Sequence, residues 1–539
     1  MMRNWRINLI FIFIILFAAV LLSRLFYIQV LQTDFYKALA QGLKNLSQEE
    51  TPERGEVFFK NGEPLAVNAN FPLVFASPPK VENPEKTAQV LSKILNLSQD
   101  SIIEKLKKDT LYSVIKNKLT EKEVELLKNS KLPGIYLTEE NGRYYPNEFL
   151  ASKIVGFLGA QERGQYGLEE YYDEILRGSS QGADLILTID YDVQFMAEKL
   201  LKTAKENLDI EGGEIIVMDT NSGKIIALAN FPNFNPNQYK EYALEGNLEI
   251  FQNGATQKFF EPGSVFKPIT MAAALNEGLI TPQTSYVDEG QVQIGGYTIY
   301  NYDGRVWGER TMTEVLERSI NTGAVFVEKL LPHNVFLDYI DKFGFFKSTG
   351  IDLPETYSEN NKFKEGYEIN FATAAFGQGI EMTPIQLIRA YSTIANGGKL
   401  VKPYLVDKVL KDGKIVETKP EISEPIISSS TASQLTAMLI SVVENGYAKS
   451  AKIPGYYIAG KTGTAQVPFS ALGMEKSGYS EKTIQTFMGF APAFNPQFLI
   501  LIKLDNPKTK TAEYSAVPIF HDLAEYIIRY WQIPPDYAP

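Results

Sequence analysis

The sequence predicts an α+β/α/β multidomain chain in which a membrane helix precedes two folded regions. Three observations predict it: a length of 539 residues, one long apolar run near the N-terminus, and strand-like runs at both ends of the C-terminal region with helices between them. A chain of this length exceeds one ordinary domain. We predict a cytoplasmic tip and transmembrane anchor at residues 1–30, an elongated α+β pedestal at 31–200, and at 201–539 a domain whose mixed, mostly antiparallel sheet is sandwiched by helices.

The N-terminal run, residues 7–23, is almost wholly apolar and just long enough to span a hydrocarbon core. Arg3 and Arg6 precede it, so the positive-inside rule places the N-terminus in the cytoplasm. A cleaved signal peptide is the alternative, but no small-x-small cleavage site follows and the helical pattern continues. No later segment is long and apolar enough to cross again. We therefore expect a single-pass protein of the cytoplasmic (inner) membrane, with residues 31–539 outside the membrane.

The pedestal should contain both strands and helices. Residues 54–68 predict a strand, an Asn-Gly turn and a second strand. Residues 84–132 are rich in Lys and Glu at helical spacing, and they predict small surface helices that include residues 113–116. One further helix is expected to end at Gly178, which is a suitable C-cap.

The C-terminal region begins with a helix over residues 190–207 and then a hairpin with strands at 215–219 and 225–229. Far downstream, three more strand-like runs lie within 455–467, 486–493 and 497–504, and a closing helix covers 518–532. Strands at both ends and helices in the middle predict one sheet built from both ends of the region.

Composition excludes several kinds of chemistry. The net charge of −11 argues against nucleic acid as a partner, because a phosphate backbone favours a basic surface. The absence of cysteine excludes disulfides, thiolate catalysis and Cys-zinc sites. The only histidines, His333 and His521, cannot form a His-rich metal site, and neither lies in an informative motif. A nucleophile in this chain would therefore use a base other than histidine.

Ser264 and Lys267 lie three residues apart at the start of a predicted apolar helix over 266–276. Residues i and i+3 share a helix face, so the two side chains can touch. Burial would have to lower the pKa of the lysine from about 10.4 to about 7 before it could take the serine proton. The helix N-terminus offers free N–H groups to a developing oxyanion, and Pro268 should make the first turn tight.

The Ser-x-x-Lys pattern is weak on its own. It recurs at Ser77, where prolines interrupt it, and at Ser113, in the predicted surface helix. Taken singly, Ser264 is more typical of a serine that starts a helix than of a nucleophile.

Two downstream motifs change this interpretation. Ser319-x-Asn321 follows, and then Lys461-Thr462-Gly463-Thr464 on a predicted strand; no other Lys-Thr-Gly occurs in the chain. The three motifs in this order are typical of penicillin-binding proteins and class A β-lactamases. Several longer stretches, among them "EPGSVFKP", "GGYTIYNYDG" and "GQGIEMTPIQLIRAYSTIANGG", resemble the transpeptidase domain of class B penicillin-binding proteins.

The resemblance extends to the pedestal through "RGEVFFKNGEPLA" and "GLEEYYDEILRG", so it covers nearly the whole chain. One departure is "FFKNG", where the family usually has Asp-Arg before Asn-Gly. The resemblance implies a serine β-lactamase-like fold for residues 201–539. It also implies a peptidoglycan D,D-transpeptidase that cross-links stem peptides during cell-wall synthesis.

The resemblance implies a role for each motif residue. Ser264 would be the nucleophile, Lys267 its general base, and Ser319 the proton relay to the leaving D-Ala amine. Asn321 would hold Lys267 and the substrate amide, and Lys461 would sustain the field around Ser319. The residues implied to bind substrate are Thr462, Gly463 and Thr464. Of these, Thr462 and Thr464 would bind the terminal carboxylate of the substrate. The N–H groups of Ser264 and Thr464 would form the oxyanion hole.

No metal or organic cofactor is implied. The implied partners are D-Ala-D-Ala stem peptides, β-lactams, the membrane, and a multi-span lipid-II glycosyltransferase with other division or elongation proteins. A septal, cell-division role is favoured over an elongation role. Two other functions stay open: a β-lactamase or β-lactam sensor, which shares the three motifs, and a catalytically silent division scaffold. Rapid penicillin hydrolysis would indicate the first, and absence of penicillin labelling would indicate the second.

Overall fold

The computed structural model describes residues 4–46, 53–159, 162–179 and 181–538. The chain forms two compact units. The first comprises Met1–Glu53 and Asn68–Tyr144, and the second comprises Arg54–Val67 and Tyr145–Pro539. The domain boundaries at residues 30 and 200 stay a prediction.

The helices follow one another along both units. In chain order they are α1 (Asn4–Phe26), α2 (Thr33–Leu46), α3 (Pro84–Leu95), α4 (Gln99–Leu106), α5 (Glu121–Ser130), α6 (Ser152–Val155), α7 (Gly167–Tyr171), α8 (Asp173–Arg177), α9 (Tyr191–Leu208), α10 (Tyr239–Leu244), α11 (Gly254–Gln257), α12 (Lys267–Asn276), α13 (Met312–Glu317), α14 (Asn321–Leu330), α15 (His333–Lys342), α16 (Asn361–Lys364), α17 (Glu368–Ala374), α18 (Pro384–Ala395), α19 (Ser429–Asn445) and α20 (Ala516–Tyr530).

The strands are β1 (Val57–Phe58), β2 (Pro64–Ala76), β3 (Ser113–Lys116), β4 (Ile135–Tyr144), β5 (Phe157–Leu158), β6 (Gly164–Gln165), β7 (Asp184–Leu187), β8 (Gly212–Met218), β9 (Ile225–Phe231), β10 (Ser285–Asp288), β11 (Gln291–Ile294), β12 (Tyr297–Tyr300), β13 (Gly308–Thr311), β14 (Lys399–Val401), β15 (Val406–Lys411), β16 (Lys414–Glu417), β17 (Ile422–Pro425), β18 (Ala459–Pro468), β19 (Tyr479–Ala491) and β20 (Phe498–Asp505).

The predicted N-terminal apolar helix is present. Asn8–Leu31 is long and apolar enough to cross a membrane, with a mean hydropathy of 2.8, and none of its most apolar stretch is buried inside the protein. A π-helical turn, Tyr27–Leu31, ends this segment before α2 begins. Arg3, on which the predicted orientation partly rests, lies outside the described residues.

In the first unit, the predicted helix at residues 113–116 is wrong. These residues form β3, which pairs antiparallel with β2 through Val74 and Lys116. Ile115 is buried and Val114 is exposed, so burial alternates with the period of a strand. The β-branched residues Val114 and Ile115 favour a strand, but the Lys and Glu residues around them made the segment look like a surface helix. The next helix, α5, begins after its N-cap residue Thr120, which forms a capping box.

The second unit is built on a five-stranded antiparallel sheet in the order β18-β19-β20-β8-β9. Its strands come from both ends of the C-terminal region, as predicted. Phe520 of α20 packs on Phe487, on one face of the sheet. On the other face, the position of Gly463 lies against Val265, just before α12. The sheet is therefore covered by helices on both faces.

The helix expected to end at Gly178 is divided into α7 and α8 at Tyr172. The Tyr172 hydroxyl donates to Asp352 Oδ2 at 3.3 Å, and this tertiary contact lies at the break between the two helices. The strand pair predicted over residues 54–68 is present as β1 and the start of β2, with β1 also pairing parallel to β7.

Candidate active site

Ser264 lies on a short 3-10 turn, Gly263–Phe266, and Lys267 is the first residue of α12. The tight first turn expected from Pro268 is therefore present, although α12 begins one residue later than predicted. Gly263 has a φ of 59° and its N–H donates to the Gly377 carbonyl at 3.0 Å. A glycine tolerates this left-handed conformation without steric cost, so the turn can present Ser264.

Lys267 is fully buried and connects the first two motifs. Its Nζ donates to Ser264 Oγ at 3.0 Å and to Asn321 Oδ1 at 2.8 Å. It also donates to the Ser319 carbonyl at 2.6 Å and lies 3.2 Å from Ser319 Oγ. Burial, followed by the nearby charge of Lys461, holds the pKa of Lys267 well below its usual range. The lowered pKa favours the uncharged form of this amine, which lies within hydrogen-bond distance of the serine hydroxyl.

Lys461 approaches Ser319 from the opposite side. It is fully buried on β18, and its Nζ donates to Ser319 Oγ at 3.0 Å and to the Thr462 carbonyl at 3.0 Å. Burial lowers the pKa of Lys461 to about 7. Ser319 has a φ of 55°, between α13 and α14, and its hydroxyl lies between the two lysines. This arrangement can pass a proton from one amine to the other through the hydroxyl.

The remaining motif residues lie along β18, which is an edge strand of the five-stranded sheet. Thr462 is buried, and Thr464 Oγ1 accepts the Ala512 N–H at 3.2 Å. A Cβ added to Gly463 would lie 3.0 Å from the Pro262 carbonyl oxygen. Only a glycine lets the strand approach the Ser264 turn this closely. The structure therefore brings all the predicted site residues to one region between α12, α14 and β18.

Asn321 is held in place by hydrogen bonds to residues that the sequence analysis did not identify. The Asn321 N–H donates to Asn301 Oδ1 at 3.0 Å, and its side-chain amide donates to the Tyr300 carbonyl at 3.1 Å. Asn301 Nδ2 in turn donates to both Asp288 oxygens at 2.9 Å, and the Thr322 hydroxyl donates to Asp288 at 2.6 Å. The stretch "GGYTIYNYDG" contains Asn301, but only the tertiary contacts give it a role.

Another unpredicted residue holds the Ser264 turn itself. Tyr391 of α18 is completely buried, and its hydroxyl donates to the Val265 carbonyl at 2.5 Å. The two histidines lie elsewhere: His333 stacks on Phe371, and His521 lies on α20. Neither forms a described hydrogen bond with Ser264.

Two family profiles match the chain. The one described as the penicillin binding protein transpeptidase domain matches residues 213–525, which is more than half of the chain. The one described as the penicillin-binding protein dimerisation domain matches residues 49–188.

Individual relatives match over nearly the full length. Stage V sporulation protein D of Bacillus subtilis is 31% identical over 92% of this chain and 81% of its own. Peptidoglycan D,D-transpeptidase FtsI of Escherichia coli K12 is 28% identical, and the match covers 99% of this chain and 93% of the relative. The crystal structure of penicillin binding protein 3 from Mycobacterium tuberculosis, complexed with aztreonam, superimposes with a TM-score of 0.71 at 26% identity, covering 90% of this chain and 98% of that one.

These matches agree with the three motifs, the N-terminal apolar helix and the domain built on an antiparallel sheet that the structure contains. The chain therefore belongs to the class B penicillin-binding proteins, with a dimerisation region followed by a transpeptidase domain.

Proposed function

We propose that the protein is a serine-type peptidoglycan D,D-transpeptidase that cross-links stem peptides through an acyl-enzyme on Ser264. One observation carries the proposal: a buried amine of lowered pKa, Lys267 Nζ, lies 3.0 Å from Ser264 Oγ. A nucleophile within hydrogen-bond reach of its base is the arrangement that acyl transfer needs. The relatives named as D,D-transpeptidases support the same reaction.

In the first half-reaction, Lys267 takes the proton of Ser264 as Oγ attacks the carbonyl between the two terminal D-alanines. The oxyanion is held by the N–H groups of Ser264 and Thr464, each worth about 3–4 kcal/mol of transition-state stabilisation. The proton then passes through the Ser319 hydroxyl to the leaving amine, and the C–N bond breaks. Free D-alanine and an ester on Ser264 result.

Substrate placement falls to the other predicted residues. Thr462 and Thr464 bind the terminal carboxylate, and Gly463 lets β18 lie against the turn. Lys461 keeps the field positive around Ser319, while Asn321 holds both Lys267 and the substrate amide. In the second half-reaction, an amine from a neighbouring stem peptide attacks the ester, gives its proton back through the same relay, and releases Ser264.

β-Lactams are substrates of the first half-reaction, so they should acylate Ser264 and remain attached.

The apolar segment Asn8–Leu31 supports a single-pass anchor in the cytoplasmic membrane, with the catalytic domain on the extracytoplasmic side. The stretch "EPGSVFKP" resembles the division type of this family, which favours a role at the division septum with a multi-span lipid-II glycosyltransferase and other division proteins as partners. A fluorescent fusion found along the side wall instead of at midcell would favour the elongation role.

The test is labelling of the purified protein with fluorescent penicillin. We expect a stable adduct in the wild type and none in Ser264→Ala, because the substitution removes the hydroxyl that Lys267 would activate. Ser113→Ala is the matched control, since Ser113 also begins a Ser-x-x-Lys sequence yet lies in β3. Its adduct should equal that of the wild type.

Two results would contradict the proposal. Rapid hydrolysis of penicillin without a lasting adduct would identify a β-lactamase. Absence of labelling in the folded wild type would identify a silent scaffold.

A further inference from the structure

A cavity of about 480 Å³ lies in the first compact unit, where the apolar segment ends. One side of it is formed by Leu31, Gln32, Asp34 and Phe35, at the junction between the π-helical turn and α2. The other side is formed by the end of α5 and by the segment that leads into β4. The cavity is thus built where the chain passes from the apolar segment into the folded part of this unit.

The length of the apolar segment places this cavity at the surface of the membrane. Asn8–Leu31 has 24 residues, which span about 36 Å at about 1.5 Å per residue. The hydrocarbon core of a bilayer is about 30 Å thick, so a segment of this length reaches into the headgroup region. Its last residue, Leu31, lines the cavity, as does Gln32, the polar residue that follows. The cavity therefore lies at the depth of the lipid headgroups.

Packing of α2 against β2 and β4 holds the two sides of the cavity together. Ala38 of α2 is 1% exposed and lies in a small apolar cluster with Leu73 and Phe75 of β2. The ring of Phe35 lies 5.7 Å from the ring of Tyr136, which belongs to β4 and also lines the cavity. The end of the apolar segment therefore cannot move away from the cavity wall without breaking these contacts.

The wall carries a positive charge that nothing in the first unit neutralises. Asp34, the only acidic lining residue among those that the structure describes, is already paired with Lys80 at 3.0 Å. Lys128, in the last turn of α5, and Lys131, directly after that helix, are exposed and form no ion pair with any described residue. The carbonyl end of α5 contributes a partial charge of about −0.5, which two ammonium groups outweigh. The cavity is therefore complementary to an anion.

The position of the apolar residues indicates which anion fits. Leu31 and Phe35 line the side of the cavity that continues from the membrane segment, whereas Lys128 and Lys131 line the side that belongs to the folded unit. A phospholipid has the same two parts, an acyl region in the bilayer and a phosphate at its surface. Lysines close to a bilayer surface are attracted to anionic lipids, and aromatic rings such as that of Tyr136 are typical of the same depth.

We propose that this cavity binds the headgroup phosphate of an anionic phospholipid of the extracytoplasmic leaflet, with Lys128 and Lys131 pairing with the phosphate and Leu31 and Phe35 contacting the acyl chains. The inference rests on the proposed membrane anchor and is independent of the acyl-transfer chemistry. The bound lipid thereby holds the end of α5 at the membrane surface beside the anchor.

The experiment measures lipid binding to the full-length protein in detergent by native mass spectrometry. The probes are phosphatidylglycerol, phosphatidylcholine with the same acyl chains, and inorganic phosphate as a competitor. We expect phosphatidylglycerol to bind at a concentration about tenfold lower than phosphatidylcholine, and inorganic phosphate not to displace it. The double variant Lys128→Gln/Lys131→Gln should lose this preference, whereas Lys128→Arg/Lys131→Arg should keep it.

Lys93→Gln/Lys122→Gln is the matched control, because it removes the same charge from two exposed lysines of the first unit that do not line the cavity. It should bind both lipids as the wild type does.

Equal binding of the two lipids by the wild type overturns the proposal, whether or not the variants fold. A preference that survives in Lys128→Gln/Lys131→Gln also overturns it, and so does displacement of phosphatidylglycerol by inorganic phosphate, which would identify a site for the free anion. Failure of the membrane anchor itself is distinct, because the wild type would then stay in solution without detergent.

Discussion

The charge of one amine controls the chemistry at the scale of single residues. Lys267 would be protonated on a surface, and a protonated amine cannot accept the Ser264 proton. In the structure it is fully buried, and Lys461 adds a second unfavourable charge nearby. Both effects penalise the ammonium form, so they favour the free base that acylation needs. The Ser-x-x-Lys spacing predicted the contact, and the burial explains how it can work.

The pH dependence of acylation follows from this charge. Below the lowered pKa of Lys267 the base is protonated, so we expect the rate constant of acylation by benzylpenicillin to rise about tenfold per pH unit there. The rate should level off well below pH 10.4, the approximate pKa of an exposed lysine. Stopped-flow measurement between pH 5 and 10 checks this, with circular dichroism at each pH as the control for folding. A rate that rises steadily up to pH 10 would contradict it.

At the scale of elements, the site depends on how closely backbones approach one another. The Ser264 turn lies between β18 and the segment after α17, and glycines occupy both contacts. Gly377, with a φ of 80°, accepts the Gly263 N–H through its carbonyl. A Cβ on Gly377 would lie 2.2 Å from the Gly263 oxygen and 2.7 Å from its nitrogen. Backbone atoms at such distances cannot stay in place.

Gly377→Ala should therefore displace the turn. We expect the free energy of unfolding to fall by about 2 kcal/mol or more, from overpacking and from strain at a positive φ. Acylation by penicillin should slow at least tenfold, because Ser264 moves relative to Lys267. Urea unfolding and labelling rates measure the two effects.

Gly296→Ala is the control for Gly377→Ala, since nothing lies within 4 Å of the position that a Cβ on Gly296 would take, and its φ is not positive. It should change neither quantity appreciably. If a stable Gly377→Ala protein were labelled by penicillin at the wild-type rate, the close approach of Gly377 to Gly263 would not be what positions Ser264.

At the scale of the whole molecule, every predicted site residue belongs to the second compact unit, and the apolar segment belongs to the first. The predicted site residues and the apolar segment therefore belong to different compact units.

We expect a chain that begins at residue 53 to leave the membrane fraction and to be acylated by penicillin at a rate within about twofold of the full-length protein, because the buried environment of Lys267 is intact. Fractionation and labelling measure both properties, and full-length protein in detergent is the control. Loss of acylation in a folded truncated chain would show that the anchor contributes to the site.

Particular residues show how far sequence reasoning extended. The strands on both sides of the sheet, α9, α20 and the three motifs were predictable, since each has a local period or a fixed spacing. The strand at residues 113–116 was not, because its two β-branched residues lie among lysines and glutamates and only pairing with β2 decides their conformation. Asp288, Asn301 and Tyr391 gave no local signal, because their roles exist only through partners distant in the chain.

The sequence by itself determined the apolar N-terminal helix, the order of the elements, and the identity of the hydroxyl and amine groups available for acyl transfer. These properties depend on neighbours within a few positions, and such neighbours are fixed by covalent connection. Only the tertiary structure decided that Lys267 and Lys461 are buried on two sides of Ser319. Burial and pairing depend on which distant segments pack together, and so do the charges that the amines carry.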